Sequence, residues 1–251
     1  MRAIWTGAIG FGLVNIPVKL YSATESSNLD FDMLDRKDQA NIKFKRVNEK
    51  TGKEVIWKNI VKGYFLKDHY VLLEDADFEE ASPEKSKIIA LHAFVQLNDI
   101  DSIYFDTPYY LEPQKGGEKA YQLLEKALEK SKTAGLGSFV MRNVEHLAIV
   151  KPYKGSLLIN KIRYEQEIRS IDELKLPANV KIKKEEMDMA LQLIKQHSTA
   201  FDISKYKNEY TQDLIKIIHQ KDKGKRASIR KINIDDTKAS DLLARLKASL
   251  A

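Results

Sequence analysis

At 251 residues, 43% hydrophobic and 31% charged, the chain is long enough for one large or two modest domains and reads as a soluble, highly charged protein. Cysteine is absent, which excludes disulfides, thiolate metal sites and a cysteine nucleophile. The net charge of +6 carries no apolar run of membrane length and no secretory core behind Met1-Arg2, so a cytoplasmic protein with a polyanionic partner is expected.

The chain opens on two apolar, strand-like runs, Ala3–Ile9 and Leu13–Tyr21, around a glycine corner at Gly10 and Gly12. Pro17 suits an edge or bulge in the second run. Residues 28–75 predict a long β-hairpin excursion: Ile42-Lys43-Phe44-Lys45 alternates, 48–53 is a turn, and 54–61 returns. Ser86–Leu97 and Ser102–Leu111 predict strands. Glu118–Lys132 predicts a helix with Ala120, Leu123, Leu124, Ala127 and Leu128 on its packed face. Ser138–Arg142, His146–Lys151 and Leu157–Tyr164 predict three more strands. Beyond about residue 167 the pattern turns helical, at Glu185–His197 and Tyr210–Gln220. The division is a β-rich body over 1–170, an arm over 171–222, and over 223–251 a basic linker with a short amphipathic helix.

Charge follows this division. Arg36–Lys67 holds ten Lys/Arg against three Asp/Glu, Asp68–Glu112 two against eleven, and Lys216–Lys231 seven against one. Such separation can aim a polyanion at one surface and repel it from another, although solvated faces give the same counts. Arg36, Lys37, Lys43, Lys45, Arg46, Lys53, Lys58 and Lys62 are candidate phosphate contacts. Lys and Arg grip phosphates without reading bases, and strand alternation would turn one set toward a ligand and the other to solvent. Lys223, Lys225, Arg226, Arg230 and Lys231 form a basic strap that either touches the polyanion or is a solvated linker.

Catalytic signatures are missing. There is no phosphate-binding glycine loop, no dinucleotide fingerprint and no serine elbow. The five histidines are scattered, and His146 reads as structural. No metal, cofactor or enzyme activity is expected. Tyr104, Phe105, Tyr109 and Tyr110 lie in the acidic block and read as wall packing rather than a stacking platform.

The opening segment closely resembles the bacterial Ku proteins. The likeness continues in order through Ile60-Val61-Lys62-Gly63-Tyr64, Phe105-Asp106-Thr107-Pro108-Tyr109-Tyr110, Met141-Arg142-Asn143-Val144-Glu145-His146-Leu147 and Phe201-Asp202-Ile203-Ser204-Lys205-Tyr206. The resemblance implies an α+β, β-rich fold: a Ku-type β-barrel core, a hairpin bridge over about 28–75, a packed helix at about 118–132 and a C-terminal helical arm. It implies a homodimeric ring that holds double-stranded DNA ends in non-homologous end joining, in the bacterial cytoplasm at the nucleoid. Many relatives carry a long lysine-rich tail, so functions tied to such a tail are not expected here. The segment 240–250 resembles the family's ligase-linked region, and Leu242, Leu243, Leu246 and Leu250 line one side of a short helix. They are therefore the candidate dock for an ATP-dependent DNA ligase of the ligase D type. An architectural DNA-binding protein without a ring would use the same basic surface but bind circular DNA equally well. A nuclease would need a ligand cluster that the sequence does not display.

Overall fold

Along Val14–Ser22 (β2), Ile16, Val18 and Leu20 are fully buried while their neighbours are not, the period-two signature of a strand with one face on a core. The computed structural model describes residues 1–81, 87–142, 144–177, 180–224, 245–246 and 248–249. In it, β2 joins Trp5–Phe11 (β1), Ile88–Gln96 (β5), Phe105–Pro113 (β6), Thr133–Met141 (β7), Val144–Tyr153 (β8) and Ser156–Ile162 (β9) in a closed barrel. The order around the wall is β1-β2-β6-β9-β8-β7-β5. Seven strands cannot alternate in direction all the way round a closed wall, so one pair must be parallel. It is β1 with β5, in the register Ala8↔Ile88. A parallel pair needs a long crossover, supplied here by β2 and the excursion after it.

The interior is filled by side chains from all round the wall, among them Ile9, Ile89, Leu111, Phe139, Val150 and Ile159. Glu118–Ser131 (α2) closes the core with Tyr121, Leu124 and Leu128. This face lies one position round from the predicted one: Leu123, expected inside, is 70% exposed, and the buried stripe starts at Tyr121. The helix ends at Lys132, whose left-handed backbone (φ 58°) lets its N–H reach the Leu128 and Glu129 carbonyls.

Pro17 lies in a wall strand without a bulge, not at the edge or bulge expected, and the ladder accommodates it. β2 is paired on both sides, but its register with β6 stops at Val18↔Pro113. The Pro17 carbonyl still accepts the Gln114 N–H, while the ring nitrogen faces the same side just beyond the last pair. The missing donor therefore costs no ladder bond.

The excursion between β2 and β5 is built in three successive turns. Leu34 pairs with Asn41, Val47 with Glu54, and only Lys62–Leu66 (β3) with His69–Leu73 (β4) forms a continuous ladder. The predicted alternation at Ile42–Lys45 forms no strand ladder; the Ile42 N–H donates to the Met33 carbonyl beside the Leu34–Asn41 bridge. Asx turns close the first two: Asp35 accepts the Lys37 N–H, and Asn48 accepts those of Lys50 and Thr51. Asp75–Ala81 (α1) follows, with the Asp77 carboxylate accepting the Glu74 N–H at its start.

By internal contacts the chain forms two units, Met1–Ser26 with Asp32–Ser170, and Ser27–Phe31 with Ile171–Ala251. The second contains Lys184–His197 (α3) and Glu209–Asp222 (α4). Asn208 caps α4 by accepting the Thr211 N–H. Neither helix buries a residue fully; Met187, Leu191 and Ile194 of α3 are exposed.

Candidate nucleic-acid interface

All eight cationic candidates of the excursion are exposed, but they are not equally available. Arg36 and Lys37 ride the first turn, Lys53 the second, and Lys43 the stretch between them. Lys58 lies in the short 3-10 turn Trp57–Asn59. Among the described residues these five have no ion pair or ring partner. Three others are engaged. Lys45 Nζ sits 2.6 Å from Glu54 Oε2, Arg46 lies over the Trp57 ring at 4.6 Å, and Lys62 Nζ lies 4.2 Å above Phe78. An exposed ion pair in water is weak, so Lys45 can exchange Glu54 for a phosphate.

This arrangement suits phosphate binding. Ammonium groups at turn tips reach a polyanion without approaching base edges, and each phosphate neutralised releases condensed counterions. The acidic side begins directly after β4, where Glu74, Asp75 and Asp77 stand at the start of α1. Among the described residues no group of three or more His, Asp or Glu side chains could hold a metal ion.

The linker candidates are only partly placed. Lys223 caps the end of α4 and is exposed. Lys225, Arg226, Arg230, Lys231, Leu242, Leu243 and Leu250 lie outside the described residues. Leu246 is in a helical turn and partly exposed.

The acidic-block aromatics are structural. Tyr109 is in the core, Tyr104 donates to Glu165, and Phe105 lies under Lys151 Nζ at 4.8 Å. A polar cluster braces β6 against β9: Lys161 Nζ is 3.0 Å and Arg163 3.9 Å from the Asp106 carboxylate, whose pKa the hydrogen bond from Lys161 lowers. His146 stands against Phe139, and burial, then the Lys161 charge, lowers its pKa. Trp57, absent from the sequence candidates, is one of the aromatics within the cationic segment, with Phe44, Tyr64 and Phe65, and the one that holds a guanidinium over its ring. Its place between Ile56 and Lys58 was the available signal.

Among the described residues no helix is long and apolar enough to cross a membrane. Comparison with known families matches residues 10–189 to the Ku70/Ku80 beta-barrel domain. Three similar relatives carry the name non-homologous end joining protein Ku. That of Coxiella burnetii is 38% identical over 99% of this chain and 94% of its own. That of Archaeoglobus fulgidus is 39% identical over 100% and 98%, and that of Pseudomonas aeruginosa 38% over 88% and 76%.

Proposed function

The chain belongs to the Ku family, and from that premise we propose that it binds double-stranded DNA ends in non-homologous end joining. The observation that carries this reading is the set of eight exposed candidate cations between Arg36 and Lys62, five of them without an ion pair or ring partner among the described residues. They grip phosphate and carry no register, so any broken end serves and the protein can slide.

Two copies enclose the duplex. The support is the β3–β4 hairpin, which exposes Tyr64, Phe65, Leu66, Tyr70 and Leu72. An isolated two-stranded ribbon is marginal in water and gains stability from a partner that covers such residues. The protein is a non-catalytic clamp of the cytoplasm, working at the nucleoid. Lys223, Lys225, Arg226, Arg230 and Lys231 add contacts beside the ring, and Leu242, Leu243, Leu246 and Leu250 dock a ligase of the ligase D type. Deleting 240–251 would then spare DNA binding and abolish ligase stimulation.

The test is binding to linear duplex against covalently closed circular DNA of one sequence, followed by blocking both ends of loaded linear complexes. Binding to linear DNA alone, with blocked complexes surviving competitor, is expected of a threaded ring. Equal binding to circles would leave a basic DNA-binding protein without a ring.

A further inference from the structure

Trp57 is 71% exposed, with the Arg46 guanidinium 4.6 Å from its ring centroid. A cation on one face leaves the other open, and no second ring contacts Trp57 among the described residues. The indole also borders a depression of about 540 Å³, within the size range of small-ligand sites. Ile60 and Leu73 give that depression apolar surface, Lys58 an ammonium, and Glu74 and Asp75 carboxylates.

These groups complement a nucleotide outside a duplex. An aromatic wall stacks on a base of any identity, a lysine holds the phosphate, and carboxylates accept N–H groups from the base edge. A base inside a duplex offers neither face to such a wall, and the terminal pair of a blunt end offers only its outer face and keeps its Watson–Crick edge paired. We propose that Trp57 stacks on the unpaired terminal nucleotide of an overhanging strand, so that the protein distinguishes overhanging from blunt ends. This rests on the DNA-end reading above. It adds a base contact to a surface otherwise made for phosphates.

The chain has two tryptophans, Trp5 and Trp57, so the emission of Trp57 is the difference between the wild type and Trp57→Phe. Titrations would use a blunt duplex, the same duplex with a short overhang, the same overhang made abasic, and free deoxyadenosine monophosphate. The expected result is quenching of Trp57 by the base-bearing overhang alone. Wild type should bind that end about fivefold or more tighter than the blunt one, and Trp57→Ala should lose this gain while binding the blunt duplex normally. Equal quenching by the blunt or abasic duplex would overturn the proposal. So would a mononucleotide that quenches as fully as the overhang at equal concentration, which would make this a free-nucleotide site, or a Trp57→Ala variant weakened on blunt and overhanging ends alike. Failure of the wild type to bind any end would instead remove the DNA-end reading itself.

Discussion

The Tyr121 hydroxyl accepts the Leu157 N–H at 2.7 Å and donates to the Leu111 carbonyl at 2.6 Å, so one side chain of α2 bridges β6 and β9. Leu111 and Leu157 are the last paired residues of that ladder, and both are buried. Burial, the leading cause, raises the Tyr121 pKa, and the phenol stays neutral as a donor must. Tyr121→Phe keeps the ring but strands a buried N–H and a buried carbonyl. It should cost about 2 kcal/mol in chemical denaturation. Tyr104→Phe, which removes an exposed bond to Glu165, is the control and should cost well under half as much.

Gly137 pairs with Leu91 of β5 and Ala148 of β8, and a Cβ there would overlap the Ala90 carbonyl oxygen. That atom is backbone, so relief requires the two strands to part. Gly137→Ala should destabilise by about 3 kcal/mol. Gly155, in the β8–β9 turn, has φ +77° and open space around it. Gly155→Ala should cost only about 1 kcal/mol of backbone strain. Thermal unfolding of the two variants would expose the order; the reverse order would mean the β5–β7 ladder tolerates separation.

Most strands were legible as apolar, β-prone runs, and in β2 the burial of Ile16, Val18 and Leu20 bears this out; their closure into a barrel was implied by the family resemblance and by no local pattern. Other features depend on contacts that no local pattern carries. Leu123 and Leu124 are equally apolar, and only the position of the wall turns Leu124 in and leaves Leu123 out. The α1 helix is hidden by its short, acidic sequence, although Glu74 and Asp77 stand at the spacing of a capping pair. The cationic segment was legible from composition. Which cations are engaged was not, because Glu54, Trp57 and Phe78 are nine, eleven and sixteen residues from their partners Lys45, Arg46 and Lys62.

Acid should weaken the fold first through His146. Burial and Lys161 place its folded pKa below the ordinary 6.5, so the folded site refuses a proton that the unfolded chain accepts. Its contribution is present above pH 6.5 and declines as pH falls below that value. Asp106 acts in the same direction lower down: its pKa is depressed below 3.8, so the contribution is complete above that value and is lost as pH falls through the folded pKa. Urea midpoints across this range should slope downward on acidification, and His146→Asn should flatten the portion just below neutrality. An unchanged slope would assign it to other groups.

Phe65, Tyr70 and Leu72 share one face of the β3–β4 ribbon, with the Phe65 and Tyr70 rings 5.0 Å apart. If a second copy covers that face, Leu72→Asp places a charge in an apolar contact and should shift sedimentation velocity toward monomer mass. Barrel stability should be unaffected, since Leu72 is exposed in the single chain. A variant that stays dimeric would move the interface away from the hairpin.

The free and engaged cations make opposite forecasts for DNA binding. Lys43, Lys53 and Lys58 have no partner among the described residues, so each can give its full charge to a phosphate. Lys45 must first leave Glu54 Oε2 at 2.6 Å. Lys43→Glu, Lys53→Glu and Lys58→Glu together should weaken binding to every sequence alike. They should lower the slope of log affinity against log salt by about one for each phosphate that is no longer neutralised. Lys45→Gln should have a smaller effect than Lys43→Gln, because the Lys45 ammonium is already held by Glu54 before DNA arrives. Fluorescence anisotropy on two unrelated duplexes over a salt series measures both quantities. A variant that changed the ranking of the two sequences would mean that these lysines approach base edges, and the phosphate-only grip would have to be abandoned.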